Sequence, residues 1–131
     1  MFFSKKIFKL ACLTIKMGNC VFCKISEGEI SCERLYENES FFSILDASPK
    51  IDGHSLVISK KHFENILDLP STSGSELLDC IKKTCFLLIE KYSSEGFNIV
   101  SNNSECAGQI VKHFHVHILP RKKEGEIPRV Y

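Results

Sequence analysis

The sequence predicts an α+β domain built on a largely antiparallel sheet. The 131 residues fit one domain and leave little room for two. Short strand-like segments stand on both sides of a single long stretch with helical periodicity, in the order strand, strand, strand, helix, strand, strand. Neither an internal repeat nor a second apolar core divides the chain. With 44% hydrophobic and 25% charged residues it is too apolar for a disordered protein. Its apolar runs fall far short of the roughly 18 to 20 residues that a spanning helix needs, so no membrane partner is expected.

From the N-terminus, residues 1–17 read as a separable basic extension, with the domain at 18–131. Phe2, Phe3, Ile7, Phe8, Leu10 and Ile15 alternate with lysines at roughly helical spacing. Three readings stand for this stretch: an unstructured or misannotated start ahead of Met17, a targeting segment, and an extra helix. "CVFCKISEGEI" reads as a short helical turn ended by Gly28. "ERLYEN" and "FFSILDAS" read as strands around an Asn38–Ser40 turn, with one ring of the Phe41–Phe42 pair in the core and the other available to a nucleobase. "HSLVISK" is a strand, and "KHFENILDL" a short helix stopped by Pro70. The long helix is expected from about Ser75 to Tyr92, with Leu77, Leu78, Ile81, Cys85, Leu88, Ile89 and Tyr92 as its apolar stripe and Gly96 as its stop. "FNIVSNN" is a strand, "SECAGQ" a polar loop, and "KHFHVHILPRK" a last strand closed by Pro120.

Charge is unevenly spread. Residues 1–26 hold five lysines and no acid, so the rest, with twelve bases and sixteen acids, nets −4. A mildly acidic body argues against a broad nucleic-acid surface while leaving room for a small phosphate pocket. The cysteine count, seven, is odd, and the N-terminal apolar stretch is broken by Lys9 and Lys16. Reduced thiols follow, in the cytoplasm or, if residues 1–17 act as a targeting segment, in a mitochondrion or related organelle. Cys80 and Cys85 are expected in the core. Cys20-x-x-Cys23 has the spacing of a zinc-binding pair, and buried thiols are the plain alternative.

Three of the five histidines, His113, His115 and His117, fall within five residues, separated by Phe114 and Val116 and followed by Ile118. On a strand, alternate side chains share a face. The histidines therefore share one face, expected to look into a cleft, and the apolar residues share the core face. Same-face neighbours lie roughly 6.5 to 7 Å apart, so one ion with bonds of about 2 Å does not hold all three. A neutral imidazole can attack phosphorus through one ring nitrogen when an acceptor holds the other. Flanking imidazoles can donate to the phosphate oxygens. Gly108, in the preceding loop, permits close backbone approach to a phosphate, and Asn102 offers an amide donor.

Read as His113-Phe114-His115-Val116-His117-Ile118-Leu119, this stretch resembles the histidine triad (HIT) family pattern of alternating histidine and apolar residues. "FFSILDASPKIDGHSLVISKKH", with Asp46, His54 and His62, is similar to the family's N-terminal half. The resemblance covers about residues 20 to 123. It implies a HIT fold: a five-stranded antiparallel sheet with one long helix and one or two short ones, paired as a homodimer through the long helix and a strand. It implies nucleotide hydrolase or nucleotidyl transferase chemistry on an α-phosphate. His115 would be the nucleophile, His117 would contact the phosphate, and His113 and His54 would support the triad. Asp46 would accept from the ribose hydroxyls, and Asn102, Gly108 and Gln109 would line the phosphate side. The substrate would be a purine nucleotide (a dinucleoside polyphosphate, a phosphoramidate or an adenylate), with AMP or GMP released. The family's phosphoramidase-like branch carries a serine after Gly-Gln. Ile110 stands there, which is closer to the dinucleoside polyphosphate hydrolase branch or to bacterial-type members.

The same resemblance implies a zinc site made of Cys20, Cys23, His62 and His113, structural in role because His115 stays out of it. No organic cofactor is expected. Two other readings remain: a non-catalytic nucleotide-binding adaptor using the same pocket, and a metal-dependent hydrolase using two triad histidines as ligands.

Overall fold

The computed structural model describes residues 20–124, so the extension expected at 1–17 lies outside the described residues. The order is α1 (Val21–Ser26), β1 (Tyr36–Glu37), β2 (Phe41–Leu45), β3 (Ser55–Ser59), α2 (Gly74–Tyr92), β4 (Gly96–Val100) and β5 (His115–Arg121). Short 3-10 turns occupy Ser71–Ser73 and Glu105–Ala107. All five strands form one antiparallel sheet in the order β1-β2-β3-β5-β4, so the last strand is inserted beside β3 and leaves β4 at an edge. This is the α+β architecture expected, a five-stranded antiparallel sheet with one long helix. Among the described residues no helix is long and apolar enough to cross a membrane.

Both faces of the sheet are covered. On one, Phe41, Val57, Phe114, Val116 and Ile118 pack with Cys80 and Leu88 of α2. On the other, Phe42, Ile44, Leu56 and Ile58 pack with Phe22, Cys23 and Ile25 of α1 and with Cys20 before it. Double cover explains why β2 and β3 read as near-continuous apolar runs instead of alternating ones. It also overturns one expectation. Phe41 and Phe42 are both fully buried, one on each face, so neither ring is available to a nucleobase. The histidine face of β5 lies on the α1 side of the sheet, with Phe22 edge-on to His113 and His115 and His117 half-buried.

Several element boundaries differ from the sequence reading. The segment 61–69 is a series of turns, not a helix. Its backbone N–H groups are taken by nearby side chains: Glu64 donates to Asp68 Oδ2, Leu67 to Asn65 Oδ1 and Ile66 to Asn103 Oδ1. Such local partners compete with helical hydrogen bonds. α2 stops at Tyr92, because Ser93 itself adopts the left-handed conformation (φ 57°) and donates its N–H to the Ile89 carbonyl; Gly96 opens β4. The line of α2 most deeply buried is Cys80, Thr84 and Leu88, while Leu78 and Ile89, expected in the stripe, are exposed. Thr84 is tolerated there because its hydroxyl bonds the Cys80 carbonyl and Ser43 Oγ, both at 2.7 Å. β5 runs through Pro120 to Arg121. Pairing with β3 ends at Ile118, so Pro120 is flanked by β4 alone, where a missing N–H is tolerated.

At Gly53 the backbone turns into β3 with φ +84°, and an added Cβ would stand 3.0 Å from the Tyr92 ring and 3.1 Å from Pro120. Only glycine suits both the turn and the space, and His54 follows it directly. The packing yields a stability contrast. Leu88→Ala, at a side chain 1% exposed, is expected to cost about 2–5 kcal/mol in urea unfolding. Leu67→Ala, 87% exposed, is expected to stay within about 0.5 kcal/mol.

Candidate active site and metal centre

His113 sits in a bend just before β5, not within it, yet its side chain falls on the α1 side of the sheet and is fully buried. Its Nε2 lies 2.7 Å from the Ser59 carbonyl oxygen, which can only accept, so Nε2 carries the proton. That leaves the Nδ1 lone pair facing Cys20 Sγ at 3.2 Å and Cys23 Sγ at 3.5 Å. His62 Nδ1 lies 3.1 Å from Cys23 Sγ, and the His62 and His113 rings stand perpendicular, 4.9 Å apart. The four ligand atoms all lie within 4.8 Å of one another. Two thiols and two imidazole lone pairs at this spacing match a closed tetrahedral zinc site, whose ligand–ligand edges run about 3.3–3.8 Å. Carbonyl support of His113 is the usual outer-shell device that fixes a ligating tautomer. The Cys20 thiol is held far below its ordinary range, to about 2, by the Cys23 hydrogen bond first, with His113 and His62 adding to it against burial.

His115 opens β5 and is 8% exposed. Its Nδ1 lies 2.8 Å from the His113 carbonyl oxygen and must donate to it. The neutral ring then presents its Nε2 lone pair on the other side. Burial keeps it neutral by pushing its pKa down, against the pull of the His113 carbonyl. Phe22, on α1 between the two cysteines, meets the His115 ring edge-on at 5.1 Å and the His113 ring edge-on at 5.8 Å.

His54 and His117 form the second half of the site. The Lys50 backbone N–H donates to His54 Nδ1 at 3.1 Å, so His54 carries its proton on Nε2. That nitrogen lies 3.0 Å from His117 Nδ1 and 3.4 Å from Asp46 Oδ2. His117 accepts on Nδ1, and its own proton sits on Nε2, on a ring 5.1 Å from that of His115. Both groups are kept neutral. Burial lowers His54, with Asp46 opposing. Burial, then His115 and His54, lower His117 to about 4. Asp46, His54 and His117 also lie within metal-ligand distance of one another. Their hydrogen bonds argue for a proton chain there, because His54 could present a lone pair from Nε2 only by taking a proton on Nδ1 against the Lys50 N–H. The first cluster has no such conflict.

The loop before β5 is built around Gly108 (φ +94°), whose missing Cβ would stand 3.8 Å from Asn102 Nδ2. β4 ends at Val100, which pairs with His117 and stands two residues before Asn102. Asn102 and Gly108 thus come together beside β5. Gln109 differs from expectation: its side chain is spent inside the loop, accepting from Ser104 N and donating to the Glu64 and Val111 carbonyls. Its backbone N–H is engaged as well, donating to the Ser104 carbonyl at 3.1 Å. Ile110 is 90% exposed at the loop surface. Three participants escaped the sequence reading: Ser59, the Lys50 N–H and Phe22. The first two act through backbone atoms that no residue type announces. Phe22 had a signal, its place inside the Cys20-x-x-Cys23 spacing.

Comparison with known proteins agrees with this geometry. A family model described as the HIT domain matches residues 27–124. An uncharacterised HIT-like protein of Methanocaldococcus jannaschii is 42% identical over 109 residues, covering 82% of this chain and 84% of its own. An adenosine 5'-monophosphoramidase of Candida albicans is 36% identical over 112 residues, 82% of this chain and 74% of its own. Among solved structures, a zinc-bound histidine triad family protein from Mycobacterium smegmatis matches with a TM-score of 0.78 at 33% identity, over 85% of this chain and 81% of that one.

The neutral His54 and His117 set a pH dependence. Their folded pKa values lie below the ordinary 6.5, so the unfolded chain takes protons first as pH falls. Their contribution to stability is complete above about pH 6.5 and is lost on acidification towards about pH 4. Urea unfolding across that window is expected to show stability falling with pH, with a shallower slope in His117→Asn.

Proposed function

This chain belongs to the HIT family, and from that premise we propose that it is a nucleotide hydrolase or nucleotidyl transferase acting on an α-phosphate through a nucleotidyl-His115 intermediate. The carrying observation is the hydrogen bond from His115 Nδ1 to the His113 carbonyl, which leaves Nε2 as a lone-pair donor in a buried setting. In this reading His115 Nε2 forms a bond to the α-phosphorus as the anhydride or phosphoramidate bond breaks. The leaving group departs with the electron pair of that bond, its developing negative charge met by the Nε2–H of His117, a ring held in that tautomer by the His54 contact at Nδ1. The charge that develops on the His115 ring strengthens its Nδ1–H bond to the carbonyl. Water then cleaves the phosphorus–nitrogen bond, its oxygen bonding to phosphorus and its surplus proton passing to the departed leaving group or solvent; His115 returns to its neutral form and a nucleoside monophosphate is released.

Asp46 would receive the ribose hydroxyls, and Asn102, Gly108 and Gln109 would line the phosphate side. Purine nucleotides, with AMP or GMP as product, are the substrate class proposed. The monophosphoramidase activity for which the Candida albicans relative is named supports phosphoramidate chemistry. Ile110, standing where phosphoramidase-like members carry a serine, favours the dinucleoside polyphosphate branch or bacterial-type members. Cys20, Cys23, His62 and His113 would hold zinc, which when bound pins the N-terminal segment to the start of β5; the zinc-bound relative supports this assignment. A homodimer is proposed through α2 and edge strand β4, on the support of the exposed Leu78, Phe86, Leu87, Ile89 and Ile99. The expected location, cytoplasmic or, through residues 1–17, in a mitochondrion or related organelle, stays part of this proposal.

The test is incubation with a panel of dinucleoside polyphosphates and nucleoside phosphoramidates, followed by intact mass spectrometry. An added nucleoside monophosphate on the wild-type chain is expected, absent in His115→Ala, with turnover at least about a thousandfold lower and nucleotide binding retained. Binding without turnover of any substrate would instead establish the adaptor reading. Cobalt in place of zinc should give the absorption of a tetrahedral thiolate site at one ion per chain, lost in Cys23→Ala. Immediate loss of activity on chelation, with the fold intact by circular dichroism, would favour a metal-dependent hydrolase.

A further inference from the structure

We propose that the Cys20/Cys23/His62/His113 cluster sets the orientation of the His115 nucleophile, and that Phe22 is the positioning residue through which it does so. This rests on the reading of His115 as nucleophile. Two physical links run from the cluster to that ring. The first is covalent: His113 supplies Nδ1 to the cluster and, through its main-chain carbonyl, the acceptor that fixes the His115 tautomer. The second is packing. Phe22 lies between Cys20 and Cys23 on α1, is buried, and presents itself edge-on to both His113 and His115.

α1 has only six residues, and its start is tied down by the cluster: Cys20 flanks the helix and accepts the Cys23 N–H on its Sγ. With both cysteines held, the two residues between them, Val21 and Phe22, have little freedom. The position of Phe22 is therefore dictated by the cluster. Phe22 in turn forms a wall against the His115 ring, on the side of the sheet where Leu56 and Ile58 stand opposite His117 and His115. An edge-to-face aromatic contact of this kind restricts ring orientation as well as burying area. A nucleophile that must present one nitrogen to phosphorus depends on that restriction, since small misplacements of a reacting atom carry large rate penalties. The ions or thiols of the cluster take no chemical part; their influence on the reaction is mechanical.

The experiment compares wild type, Phe22→Leu and Phe22→Tyr, each loaded with zinc and counted for metal, using steady-state kinetics and 15N-histidine NMR. For zinc-loaded wild type a single His115 tautomer, protonated on Nδ1, is expected. In Phe22→Leu one zinc per chain should remain, kcat should fall about tenfold with KM within about twofold, and the His115 ring should populate the second tautomer or broaden by exchange. Phe22→Tyr, which keeps the ring, should stay within about threefold of wild-type kcat. Zinc-stripped wild type should show the same His115 ring change as Phe22→Leu. If stripping unfolds the chain, the Phe22→Leu arm decides, because it leaves all four ligands in place. A Phe22→Leu protein with unchanged kcat and an unchanged His115 ring, or with KM raised alone, overturns the proposal. Failure of wild type to form any His115 adduct would instead overturn the nucleophile assignment, while the NMR arms still report whether the cluster governs the ring.

Discussion

A neutral imidazole has one proton and one lone pair, and which nitrogen carries which is decided by its neighbours. At His115 the decision is made by the His113 carbonyl 2.8 Å from Nδ1. At His113 it is made by the Ser59 carbonyl 2.7 Å from Nε2, and at His54 by the Lys50 N–H 3.1 Å from Nδ1. Each of these partners is a backbone group that can play only one role, so the tautomers follow without choice. The chemistry assigned to the site descends from that chain of one-way hydrogen bonds. One end presents lone pairs to a thiol pair, the middle presents a lone pair at the nucleophile position, and the other end presents a proton.

The sheet makes this possible by being covered on both sides. α2 closes one face, and α1 with the cysteine turn closes the other. Burial depresses the pKa values of His54, His115 and His117 and keeps them in the neutral form the arrangement requires. A histidine face open to water would lose that control. α1 thus has a role out of proportion to its six residues. It brings Phe22 over the histidines and both cysteines beside His113, and Arg34 steadies its end by donating to the Ile25 and Ser26 carbonyls.

Much of this was legible in the chain. The alternation of His113, His115 and His117 with Phe114, Val116 and Ile118 placed the two sets on opposite faces because strand geometry has a period of two. The spacing argument against one ion on all three histidines agrees with the separation found, with His113 among thiols and His117 beside His54. Less was legible where side chains compete with backbone. Segment 61–69 has a helical pattern, but Asn65, Asp68 and the distant Asn103 capture its N–H groups. Gln109 reads as a phosphate ligand by position, yet its amide is consumed by its own loop. Leu78 and Ile89 fit the helical apolar pattern of α2 yet are exposed, because the buried line runs through Thr84, whose hydroxyl is satisfied by Ser43 and the Cys80 carbonyl.

By itself, the sequence determined the α+β class, the number of strands, the long helix and the shared face of the triad, since all of these follow from local periodicity. Only the tertiary structure decided that β5 inserts between β3 and β4, that Cys20 and Cys23 meet His62 and His113, and which nitrogen of each histidine is protonated. Those outcomes depend on contacts between residues up to ninety-three positions apart, as Cys20 and His113 are. They depend equally on carbonyl and amide groups that every residue carries alike, so no pattern of residue types can announce them.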